Sequence, residues 1–67
     1  MEVAEIIEKL GGREAFVRKF GVSRTATYNW RHDGIPFRLW PDIVAEAQVL
    51  GVEGITFDVL KATRPPK

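Results

Sequence analysis

Val3, Ile6, Ile7 and Leu10 fall at i, i+3, i+4 and i+7, and Gly11-Gly12 follow at once. That spacing is one face of a helix, and glycine is the residue that takes most cheaply the left-handed conformation on which helices end. The pattern recurs along the chain. Ala15, Phe16, Val17 and Phe20 precede Gly21; Ala26, Thr27 and Trp30 precede Gly34; Leu39, Trp40, Ile43, Val44, Ala47 and Leu50 precede Gly51. No segment alternates apolar and polar residues over the length of a strand. The expected fold is therefore all-α, a compact bundle of four to five short helices at about Glu2–Leu10, Arg13–Phe20, Arg24–Arg31 and Phe37–Leu50, with a last short helix holding Phe57, Leu60 and Lys61. Ser23 and Thr56 are suited to N-caps, and Pro41 to the first position of a restarted helix. Ile35, in the turn Asp33-Gly34-Ile35-Pro36, is expected to anchor a loop.

A chain of 67 residues has room for one core. Residues 1–62 are expected to form that domain and residues 63–67 a disordered tail. With no cysteine and a single histidine, neither a disulfide nor a Cys/His zinc site can staple it. The large apolar residues must do that work, so Trp30, Trp40 and the four phenylalanines are expected in the core. No metal and no cofactor are expected. Gly11-Gly12 follows a helix and precedes Arg13-Glu14, which is not the strand-to-helix context of a phosphate loop. Ser23 and His32 would have to supply both nucleophile and base, two turns apart, so no enzyme and no small-molecule substrate are expected. No apolar run reaches the length of a membrane span, and acids open the chain where a signal peptide carries bases. The expected address is the cytoplasm, without a membrane partner.

The net charge of +1 conceals a segregation. Residues 13–38 carry Arg13, Arg18, Lys19, Arg24, Arg31 and Arg38 against Glu14 and Asp33, a net +4. Residues 39–60 carry Asp42, Glu46, Glu53 and Asp58 with no base, a net −4. A basic block between acidic ones is the pattern of a polyanion-binding face, and also of an ordinary solvated one. Within the basic block, helical spacing turns Arg24, Thr25, Tyr28, Asn29 and His32 away from the side holding Ala26, Thr27 and Trp30.

The run Ala15-Phe16-Val17-Arg18-Lys19-Phe20-Gly21-Val22-Ser23-Arg24-Thr25-Ala26-Thr27-Tyr28-Asn29-Trp30, with Gly11-Gly12 before it and Gly34-Ile35-Pro36 after, resembles the Cro/YdaS-like helix-turn-helix proteins, which include phage-type repressors. The resemblance implies a lambda-repressor-like DNA-binding fold and a sequence-specific transcriptional regulator, associated with the nucleoid. Gly21 matches the turn glycine, Ser23 the N-cap and Trp30 the apolar anchor of the recognition helix. Two positions depart from the family pattern: Val17 stands where alanine is usual, and Thr27 where valine or isoleucine is usual. The Thr27 hydroxyl is expected to bond back to the Ser23 carbonyl.

Arg24, Thr25, Tyr28 and Asn29 match groove-facing positions, which makes them the expected base readers. An arginine fork fits O6 and N7 of guanine, and an asparagine amide fits adenine, in a major groove wide enough for one helix. Arg13, Arg18, Ser23, Arg31 and Arg38 are the expected phosphate contacts. One such module reads few base pairs, so a homodimer through residues 37–60 is expected. The competing reading is a small helical protein-interaction module, or an antitoxin-like partner. There the apolar surplus of Phe37, Leu39, Val49, Val52, Phe57 and Val59 docks another protein.

Overall fold

The computed structural model describes residues 1–64. Among them the chain forms an all-α bundle of five short helices with no strand: α1 (Val3–Lys9), α2 (Arg13–Phe20), α3 (Arg24–Asp33), α4 (Trp40–Leu50) and α5 (Phe57–Ala62). A single 3-10 turn, Phe37–Leu39, leads into α4, and Pro41 sits in the first turn of that helix, where its missing N–H has no intrahelical partner to lose. Helices this short are marginal alone and take their stability from burying one face each.

The helix ends are closed as the glycines indicate. Gly21 adopts φ 67 and ψ 34, and the Val22 N–H then reaches back to the Val17 carbonyl at 3.2 Å. α1 and α4 close with the same six-to-one bond, Gly12 to Ile7 and Val52 to Ala47. At the opposite ends, Ser23 accepts from the Ala26 N–H at 3.0 Å, and Thr56 from the Val59 N–H at 3.3 Å.

One continuous core holds the bundle together: Val3, Ile6, Ile7 and Leu10 from α1, Phe16 from α2, Trp30 from α3, Ile43 and Ala47 from α4, and Leu60 from α5. Ile35 and Ile55 plug it from the loops. Phe16 packs tilted against Phe20 of its own helix at 4.5 Å and meets the Trp30 ring edge-on at 5.7 Å, and the second contact joins α2 to α3.

Several sequence expectations change. α3 continues to Asp33, two residues past the expected end, because Gly34 and not Asp33 supplies the stop: its N–H caps the Trp30 carbonyl at 2.8 Å. The helical stretch expected from Phe37, with a restart at Pro41, is a 3-10 turn followed by α4, which begins at Trp40, one residue before the proline. Phe37, Phe57 and Leu50 are exposed, not core, since each lies at the end of its element where no neighbouring helix covers it. Leu39, by contrast, is buried, and Val52 and Val59 pack against the core, so half of the expected apolar surplus is used internally. Thr63, expected in a disordered tail, is half-buried and hydrogen-bonded; residues 65–67 of that tail lie outside the described residues.

Candidate nucleic-acid interface

α3 is two-sided. Thr27 and Trp30 are buried, whereas Arg24, Thr25, Tyr28, Asn29 and His32 are all exposed along the other side. The periodicity of the helix forces this division: burying Trp30 against Phe16 rotates the residues half a turn away into solvent. All four expected base readers therefore share one open face, and Ser23 is spent as the cap beneath its first turn.

The N-terminal turns of α2 and α3 are tied to each other through Arg13. Its Nη1 donates to the Thr27 hydroxyl at 2.7 Å, and its guanidinium carbon lies 4.1 Å from the centre of the Tyr28 ring. The Thr27 hydroxyl in turn donates to the Arg24 carbonyl at 2.6 Å, not to the Ser23 carbonyl expected from sequence. A helical threonine bonds back to the carbonyl three or four positions before it, and here the hydroxyl takes the nearer one while the Ser23 carbonyl accepts from the Thr27 N–H at 3.2 Å. The buried hydroxyl is thus fully satisfied, which is what lets threonine stand at an interior site.

Arg24 is not idle in the free protein. Its Nη2 pairs with the Glu14 carboxylate across the same α2–α3 junction, both side chains being well exposed. Glu14 is a residue the sequence reading counted only as a charge. A second ion pair, Lys19 with Glu46 at 2.8 Å, fastens α2 to α4 and takes Lys19 out of the basic face.

The remaining expected phosphate contacts are distributed. Arg18 is exposed on α2 one turn beyond Glu14. Arg31 borders a cleft formed by Met1, Glu2, Val3, Ala62 and Thr63, on the α1 side of α3. Arg38 lies on the 3-10 turn beside the far end of α3, in a groove with Asn29. Among the described residues none of the three makes an ion pair.

Arg64, assigned by sequence to the tail, is in that groove as well. No local signal could have placed it there, since the path of the chain after α5 depends on how Leu60 and Thr63 dock. Among the described residues no group of acids or histidine could hold a metal, and no helix is long and apolar enough to cross a membrane.

No protein-family model, no curated protein and no solved structure matches this chain.

Proposed function

We propose that the protein is a sequence-specific double-stranded DNA-binding regulator, in which α2 and α3 form a helix-turn-helix and α3 enters the major groove. The observation that carries the reading is the open row of Arg24, Thr25, Tyr28 and Asn29 on a helix whose other side is locked into the core. The three residues between α2 and α3, Gly21-Val22-Ser23, provide a sharp turn and a capped start, so the first turn of α3 stands clear to meet base edges. Arg24 is the principal base reader, through the bidentate geometry of its guanidinium toward guanine; Asn29 suits adenine, and Thr25 and Tyr28 suit a thymine methyl or a phosphate.

Arg13 acts on this reading chiefly as a brace between the two helices, with N–H groups left over for a phosphate. Arg38 borders the row beside Asn29, Arg31 lies on the α1 side of α3, and Arg18 is exposed on α2. The exposed Val49 and Phe57, 77% and 52% accessible, belong to the acidic segment that a DNA phosphate would repel. They suit a homodimer contact on the side away from DNA; the resemblance to phage-type repressors and residence with the nucleoid belong to the same reading.

Titration of the protein on a duplex selected from a random pool, and on an unrelated duplex, tests it. Arg24→Ala is expected to cost about 1–3 kcal/mol on the selected duplex and much less on the other. An equal loss on both would make Arg24 a phosphate contact and remove α3 as the reader.

A further inference from the structure

Beside the far end of α3 lies an open groove of about 470 Å³, bordered by Asn29, Asp33, Phe37, Arg38 and Arg64, with Trp30 at its base. The loop that forms one wall is anchored beside it, at Ile35. The Ile35 N–H is held by the Thr63 hydroxyl at 3.2 Å and the Ile35 carbonyl by the Trp40 indole N–H at 2.9 Å, while the Ile35 side chain is fully buried. The same Thr63 hydroxyl donates to the Leu60 carbonyl at 2.6 Å, so one side chain ties the end of α5 to the loop after α3.

Phe37 is 66% exposed, yet its ring rests on Trp40 with centroids 4.7 Å apart. An aromatic ring held rigid and left uncovered has desolvation energy to gain from a ligand. Arg64 is brought in by close backbone approach: a Cβ on Gly34 would lie 2.6 Å from the Arg64 Cα. Two residues far apart in sequence, Arg38 and Arg64, therefore flank one apolar wall.

We propose that this groove holds one sugar-phosphate strand of the duplex, with phosphates at Arg38 and Arg64 and a deoxyribose against Phe37. The assignment rests on α3 being the DNA reader. Asn29 belongs both to the reading face and to the groove, so a strand bordering the bases that α3 reads passes over Phe37. The chemistry matches the repeat of a nucleic-acid backbone, anion and apolar sugar in alternation. Among the described residues that border the groove, Asp33 is the one carboxylate and leaves a net charge of +1 against Arg38 and Arg64, so the ring supplies part of the attraction. Contacts of this kind fix register and carry no sequence information.

The experiment uses the full chain, the selected duplex and an unrelated duplex of equal length, at several salt concentrations. The variants are Arg64→Gln, which keeps the Cγ that packs on Gly34, and Phe37→Ala. Arg64→Gln is expected to weaken both duplexes alike, by about fivefold, and to lower the slope of log K against log salt by about 0.9. Phe37→Ala is expected to weaken both alike with no change in slope, since a ring displaces no counterion. Circular dichroism of each variant reports that the helices are retained.

Wild-type affinity and slope in both variants would overturn the groove assignment. If Arg24→Ala still abolished preference for the selected duplex, the reading by α3 would survive that result. A loss confined to the selected duplex would also overturn it, because the groove would then be reading a base. Failure of the wild-type chain to bind either duplex would remove both the groove and the reading on which it rests.

Discussion

Arg13 and Thr27 are partners across the α2–α3 junction, the guanidinium donating to a hydroxyl that itself donates into the first turn of α3. This couple explains why threonine occupies an interior position that an aliphatic residue would fill as well. It also sets how the start of α3 sits on α2. Thr27→Val is expected to change stability by less than about 1 kcal/mol, because shape is kept and Arg13 can turn to water. In a double-mutant cycle with Arg13→Ala, a coupling of about 1 kcal/mol is expected from denaturant unfolding. A coupling of zero would mean that the bond does not fasten the helices.

The end of α3 depends on Gly34. Its φ of 83 and ψ of 163 lie in a region essentially reserved for glycine, and an added Cβ would meet the Arg64 backbone. Gly51, at φ 70 and ψ 25, has an ordinary left-handed conformation and open space around it. Gly51→Ala is expected to cost about 1 kcal/mol and Gly34→Ala at least about 3 kcal/mol, measured by urea unfolding. Equal costs would show that Arg64 does not pack on Gly34.

On the proposed reading, the Glu14 carboxylate competes with DNA for Arg24. Replacing it with glutamine removes a negative charge from the proposed interface and frees the guanidinium. Glu14→Gln is expected to strengthen binding to all duplexes by about fivefold at low salt, an effect that fades as salt screens the charge. Weaker binding to the selected duplex alone would instead make Glu14 the residue that aims Arg24 at its base.

The proposed dimer on DNA can be tested apart from folding, since Phe57 is 52% exposed and lies outside the buried core cluster. Phe57→Glu is expected to halve the number of protomers bound per operator in sedimentation, with the helical signal unchanged. Arg18, Arg31, Arg38 and Arg64 supply four candidate phosphate contacts per protomer, so the wild-type dimer is expected to show a salt slope of about −7. One wild-type protomer per tightly bound site would refute the dimer.

The helices, their caps and the two-sided character of α3 were legible in the sequence. Each depends on residues within a turn or two of one another: the spacing of Val3, Ile6, Ile7 and Leu10, the Ser23 and Thr56 caps, and the glycine stops at Gly21 and Gly51. Helical periodicity is local, so a face can be read from one strip of sequence. What the sequence could not rank was exposure at element ends. Phe37, Leu50 and Phe57 have the same chemistry as Phe16 and Leu60, and only the neighbours that happen to cover them decide which are core.

Tertiary structure alone decided the pairings. Glu14 meets Arg24, Arg13 meets Thr27, and Arg64 returns from the end of the chain to lie against Gly34. These partners are 10, 14 and 30 positions apart in the chain. Their meeting follows from how Phe16, Trp30, Ile35 and Leu60 fill one core, since burying those residues fixes the helix orientations and with them which surface charges stand together. The sequence by itself determined that α3 carries an exposed polar face; the packing of that core determined which charges stand beside it.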